Sequence, residues 1–164
     1  MLPHIATDST FSPDSRVWVY TSNRRLTDAE TEAVQQAVQA FTKEWTAHNH
    51  ALKATAEVFD NQCILLMVDE TQAGASGCSI DKSVHFLEDL GSKIGADFFE
   101  RMRFAWVNEA GALQFADRSE LSAARQQGNV TDSTPMLNTM VQSRRDMLDK
   151  WLVPFSQSWH KRIV

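Results

Sequence analysis

The sequence predicts an α+β domain, a ferredoxin-like split βαβ two-layer sandwich with an extra strand and C-terminal helices. Three observations predict it. Short stretches such as "RVWVYTS" and "QCILLMVDE" are dense in β-branched and aliphatic residues, as strands are. Two longer stretches space their apolar residues three and four apart, which gives a helix one face to bury. The order strand, helix, strand, strand, helix, strand is that of the split βαβ unit, with helices covering one face of an antiparallel sheet.

Each element follows from local chemistry. Residues 1–15 mix Pro, Ser, Thr and Asp without periodicity and are expected to be flexible, leaving residues 16–164 as a single domain. "RVWVYTS" reads as the first strand, apolar on both faces and therefore central. A helix follows, with Thr27 as N-cap, Glu30 completing a capping box, and Val34, Val38, Phe41 and Trp45 on its inner face. Leu52, Ala54, Ala56 and Val58 alternate with polar residues, "DN" supplies a turn, and "QCILLMVDE" returns as a buried strand, so these two form a hairpin. Ser79 is the expected cap of a second helix carrying Ile80, Val84, Leu87, Leu90 and Ile94 as its stripe.

Beyond it, "RFAWVN" and "ALQFAD" flank "EAG" as a second hairpin, and residues 118–133 carry one short helix. Thr134 and Pro135 read as N-cap and first residue of a helix through Leu137, Met140, Val141, Leu148 and Trp151, which Pro154 interrupts. "PFSQSWHKRIV" then places Phe155 and Trp159 four apart, as a last short helix would. Right-handed crossovers would set the first and third strands in the centre, running in opposite directions.

Composition narrows the function. Sixteen Lys and Arg against 21 Asp and Glu give a net charge of −5, with basic residues only in short clusters, which argues against nucleic acid as a partner. The longest apolar run, Cys63 to Val68, falls far short of the ~20 residues a spanning helix needs, so no membrane partner is expected. Two cysteines, Cys63 and Cys78, make neither a disulfide framework nor a zinc cluster, and the N-terminus lacks a basic region followed by an apolar core. A cytoplasmic location is expected, with no cofactor and no metal. Trp151, Phe155 and Trp159 offer an apolar face through which the C-terminal helices could join two copies as a homodimer.

The stretch "GASGCSIDKS", residues 74–83, carries most of the remaining chemistry. It lacks the first glycine of a phosphate loop, and Cys78 replaces the second glycine of a nucleophile elbow. Cys78 near a helix N-terminus would gain thiolate stabilisation from unpaired amides, with His48 or His50 as base and the amides of Ser79 and Ile80 as oxyanion donors. The split βαβ order brings the end of the first helix, the loop after the third strand and the turn at Asn108–Gly111 to one edge. A ligand site there would draw on Asp69, Glu70, Ser76, Gly77 and Ser79, although two carboxylates oppose an anion. The plainer reading of the same residues is a tight strand-to-helix joint. Cys63 is expected to be a core thiol, His85 to flank its helix, and Trp18 and Tyr20 to pack in the core.

"WVYTSNRRLT", "WTAHNHALKA", "LMVDETQAGASGCSIDKSVHF" and "WLVPFSQSWHKR" together resemble a small family of uncharacterised bacterial proteins, some with the automatic label ABC-transporter ATPase. The resemblance covers most of the chain and implies no catalytic residues. An ABC ATPase needs a phosphate loop, and "LLMVDE" mimics only its acidic strand end, so ATP hydrolysis is not expected. The expected function is binding of a small ligand or protein partner along residues 69–79. The alternative is a cysteine-dependent hydrolase or acyl-transferase with Cys78 as nucleophile.

Overall fold

A computed structural model describes all 164 residues. Helices and small antiparallel sheets are mixed along the chain, so it is α+β. The chain falls into two compact units, one made of Met1–Glu100 with Val141–Asp149, the other of Arg101–Met140 with Lys150–Val164.

In the first unit β1 (Arg16–Thr21) leads through α1 (Asp28–Glu44) and a small hairpin, β2 (Thr46–Ala47) and β3 (His50–Ala51). Then come β4 (Lys53–Phe59), β5 (Cys63–Asp69) and α2 (Gly77–Ile94). The main sheet has the order β1-β5-β4, antiparallel throughout. The central strand is thus β5, not β1. Paired on both sides and buried at every one of its seven positions, β5 carries the unbroken run "CILLMVD" that a doubly covered strand requires. β1 keeps one edge, where Val17 N donates to Gln142 O at 3.0 Å and Arg16 bridges Ser143.

α1 starts as expected. Thr27 Oγ1 accepts from Glu30 N at 3.1 Å while Glu30 Oε1 accepts from Thr27 N at 3.0 Å. Its inner residues Val34 and Val38 join Leu66, Val68 and Leu87 in one core, edged by Phe41 stacked on Phe86 at 4.6 Å. Trp18 packs on Trp45 at 5.9 Å and Tyr20 on Phe99 at 5.3 Å, so both serve the core. The cap of α2 differs from expectation: Ser76, not Ser79, is the N-cap, and Ser79 stands at the third helical position. Each serine hydroxyl accepts the other's backbone N–H, at 2.7 and 3.1 Å, so Ser79 fills the place usually held by Glu.

Residues 1–15, expected to be flexible, are drawn onto the other face of the sheet. A 3-10 turn at His4–Thr7 buries Ile5 and Ala6, and Phe11 is buried beyond it. Charged side chains hold the backbone of this strap. Glu57 accepts from the amides of His4 and Ile5, Asp69 accepts from Ser12 N, and Arg144 donates to the carbonyls of Ala6 and Phe11.

The second unit holds β6 (Phe104–Val107), β7 (Leu113–Ala116), α3 (Arg118–Gln126) and β8 (Pro135–Leu137). α4 (Arg144–Lys150) lies almost wholly in the first unit, and β9 (Leu152–Pro154) closes the second sheet in the order β7-β6-β8-β9. The strand expected to complete the first sheet, Phe104–Val107, therefore pairs elsewhere. The helix expected from Pro135 is also absent, because Thr134 Oγ1 accepts from Thr131 N, upstream of it. Pro135 opens a strand, where its missing N–H is tolerated, and the apolar residues read as one stripe are shared among strand, turn and helix. The C-terminal segment forms short 3-10 turns, Phe155–Gln157 and Trp159–Arg162. Trp151 and Phe155 are buried at 2 % and 4 % exposure, which leaves only Trp159 partly open of the three residues expected at a dimer face. No helix is long and apolar enough to cross a membrane.

Candidate functional site

The C-terminal end of α1 and the loop leaving β5 come out on the same rim of the first unit. A cleft of about 310 Å³ is lined by Ala47, His48, His50 and Ala51 from one side and Gln72, Ala73 and Gly74 from the other. Two features hold its walls. Lys53 pairs with Asp69 at the ends of β4 and β5, which keeps the segments flanking those residues adjacent. Trp45, at the C-cap of α1, donates its indole N–H to Ser79 O in the first turn of α2 at 2.9 Å.

The first wall is a tight hairpin. Ala47 pairs with His50, so His48 and Asn49 form a two-residue turn with φ of 50° and 64°. Two left-handed residues are what such a turn demands, because its twist then matches the strands. Asparagine and histidine are both among the non-glycine residues that enter that region most readily. The turn leaves both imidazoles exposed at the cleft.

The second wall is fixed by two carboxylates, neither of which lines the cleft. Asp69, at 5 % exposure, accepts from Ser12 N at 2.9 Å and Thr71 N at 3.1 Å and lies 3.7 Å from Lys53 Nζ. The Ser12 amide, the Thr71 amide and hydroxyl and Lys53 hold its carboxyl below the usual range against the opposing effect of burial. Glu70 accepts from Ala75 N at 2.8 Å, which folds the loop back on itself.

The expected thiol site is brought together only in part. Cys78 is exposed at the second position of α2, but it does not line the cleft. Ser79 and Ile80 are not available as oxyanion donors: their amides go to Ser76 Oγ at 3.1 Å and Ser76 O at 2.9 Å, as the first bonds of the helix and its cap. Gly77 and Cys78 carry the first-turn amides that an α-helix leaves without an internal partner. Ser76 is committed to capping, and Asn108–Gly111 belongs to the second unit. Cys63 is a core thiol, fully buried beside Thr21 Oγ1, and burial pushes it up to about 12. His85 is exposed on its helix.

Sequence reasoning placed binding along residues 69–79 without naming Gln72, Ala73 or Gly74 within it, and it missed the hairpin that presents the histidines. The signal for the hairpin was present, since asparagine at the centre of "AHNHA" favours a left-handed turn. On the opposite rim Arg25 pairs with Asp60 at 3.4 Å. There Arg24 also grips Glu30 at 2.7 Å and the carbonyls of Ile94 and Gly95, the last of α2. Neither protein-family models, nor curated proteins, nor solved structures show a match to the chain.

Proposed function

We propose that the first unit is a small-ligand-binding module, and that its cleft takes a compact molecule bearing a carboxylate or phosphate. The observation that carries this reading is the cleft shared by the "HNH" turn and the loop after β5. Its lining offers two imidazoles, the Gln72 carboxamide and loop amides as donors, and no carboxylate. Neither Asp69 nor Glu70 lines the cleft; Asp69 is paired with Lys53 at 3.7 Å, whereas Glu70 accepts only from the Ala75 amide and keeps its negative charge beside Gly74, which opposes an anion there. The succession β1-α1-β4-β5-α2 is read as the leading part of a split βαβ arrangement, and two free cysteines suit a cytoplasmic setting.

Inorganic phosphate and citrate, titrated separately into ¹⁵N-labelled protein to about 10 mM, are the probes, a range that captures a ligand fragment of millimolar affinity. One of them should shift the amides of His48, His50 and Gln72–Gly74 saturably, and a His48→Ala, His50→Ala double variant should lose the response. Unsaturable shifts scattered over basic residues would sink the proposal.

A second reading, a cysteine-dependent hydrolase or acyl-transferase, rests on Cys78 being exposed in the first turn of α2 with His48 or His50 as base. It requires iodoacetamide to alkylate Cys78 at pH 6 faster than an ordinary thiol with a pKa near ~8.5. An ordinary rate ends it.

A further inference from the structure

We propose that the free edge of β4 is a docking groove for an extended basic segment of a partner protein, which adds to the sheet as a strand. This groove is separate from the cleft above. Its volume is about 550 Å³, and it is bounded by the strap at His4, Ile5 and Asp8, by β4 from Thr55 to Phe59, by Gln35 and Gln39 of α1, and by Asp60.

The backbone supplies the first argument. β4 is the last strand of its sheet, so half of its amides and carbonyls face no strand. Gln35 shows which half. Its carboxamide oxygen accepts from Val58 N at 2.6 Å and its nitrogen donates to Ala56 O at 3.4 Å, standing where the peptide group of a neighbouring strand would stand. Because backbone direction alternates along a strand, the N–H of Ala56 and both groups of Ala54 turn to the same open edge. One side chain from α1 thus occupies two of the sites on an edge that is otherwise ready to pair. A strand entering between α1 and the strap would displace Gln35 and take both of its bonds. Strand addition of this kind draws affinity from the main chain and specificity from alternate side chains.

Charge decides what enters. Asp8, Glu57 and Asp60 line the groove and no Lys or Arg does, although Asp60 is paired from outside the groove with Arg25 at 3.4 Å and Asp8 feels Lys53 and Arg144, so Glu57 carries the largest uncompensated share of the charge. Glu57 is bonded to the His4 and Ile5 amides, which are neutral donors, so its negative charge is not cancelled. Alternate residues of an added strand would face these carboxylates, and Lys or Arg there complements them, while the intervening apolar residues meet Val58 and Ala56. Such a partner is a Lys- or Arg-bearing extended segment rather than an acidic or helical one.

Three probes test this with the full chain: an end-blocked peptide alternating Arg and Val, its Glu and Val counterpart, and spermine. The Arg peptide is expected to shift the amides of Ala54–Val58 and to slow exchange of the Ala56 N–H about tenfold or more, the mark of a new edge hydrogen bond. An Asp8→Asn, Asp60→Asn double variant should weaken it about tenfold, while Asn keeps both the left-handed turn at position 60 and the local acceptor at position 8. Gln35→Ala should bind the peptide several-fold more tightly because no side chain has to leave. Equal binding of the Glu peptide overturns the proposal, as does the absence of any response to the Arg peptide. Spermine reproducing the shifts without slowing Ala56 would make this a small-cation site instead. Unchanged or weaker binding by folded Gln35→Ala would overturn strand addition.

Discussion

The indole N–H of Trp45 donates to the carbonyl of Ser79 at 2.9 Å, joining the end of α1 to the first turn of α2 inside the core of the first unit. The bond spans 34 residues of sequence and is buried, so it fixes the two helix termini that frame the cleft. Trp45→Phe keeps an aromatic ring against Phe41 and Trp18 but leaves Ser79 O without its indole donor. The expected cost is about 2 kcal/mol, the usual penalty for orphaning a buried acceptor with some loss of packing. A urea midpoint unchanged from wild type would show that the bond contributes nothing.

Two glycines of α2 should respond in opposite directions. A Cβ on Gly91 would stand 2.5 Å from Ala96 O, in the turn where Ala96 N returns to Gly91 O and Gly95 is left-handed at φ 70°. Gly91→Ala must push that turn away and is expected to lose about 1–3 kcal/mol. A Cβ on Gly77 meets nothing within 4 Å, and Gly77→Ala should be neutral or gain up to about 1 kcal/mol from helix propensity. Thermal melts of the two variants on the same side of wild type would contradict this assignment of space.

How far the sequence reached is clearest at the hairpins. The β4–β5 and β6–β7 hairpins were legible because alternation, turn residues and β-branched runs are local signals: Asp60 and Asn61 sit left-handed at the tip of the former, and Asn108 Oδ1 accepts from Ala110 N and Ala112 N in the latter, whereas the short β2–β3 hairpin was missed. Thr27 was legible for the same reason. Long-range choices were not. Nothing in "RVWVYTS" says that its outer edge meets Gln142, or that Phe104–Val107 will pair with Met136 rather than with the first sheet. Pro135 misled because proline opens strands as readily as helices, and only the Thr134 side chain, turned to Thr131, separates the two. The ligand edge was expected to draw on Asp69 and Glu70, yet these two are engaged with backbone, and the cleft is lined instead by the histidine turn and Gln72–Gly74.

The second unit should weaken with acid through one residue. His160 is 1 % exposed, with Nδ1 2.5 Å from Ser158 Oγ and its ring stacked on Trp159 at 3.8 Å. Burial pushes its pKa from 6.5 down to about 4. The unfolded chain therefore takes up this proton near pH ~6.5 and the folded one only near 4, so the contribution is complete above the upper value and is lost as pH falls toward the lower. The full linkage is at most on the order of 3–4 kcal/mol. Exchange of second-unit amides such as Met136 should accelerate across that window in wild type, and His160→Gln should remove most of the difference. Parallel pH profiles for the two proteins would refute the role given to His160.

Arg144 should govern the strap. Its guanidinium, in a residue 8 % exposed, donates to Ala6 O at 2.9 Å and Phe11 O at 3.2 Å, and it lies near enough to Asp8 to help lower that carboxyl without a direct ion pair. Arg144→Leu removes two charge-assisted bonds and leaves both carbonyls facing an apolar side chain. Glu57, Asp69 and Lys53 still hold the strap at other points, and the sheet core on the far face is untouched. The loss is therefore local: opening of residues 4–12 should rise by about tenfold or more, equivalent to roughly 1.4 kcal/mol, while amides of β5 keep their protection. Limited proteolysis within residues 4–12, together with amide exchange of Ser12 and Leu65, separates the outcomes. Equal acceleration at both amides would mean that Arg144 supports the whole unit, and no acceleration at Ser12 would mean that the carboxylates alone hold the strap.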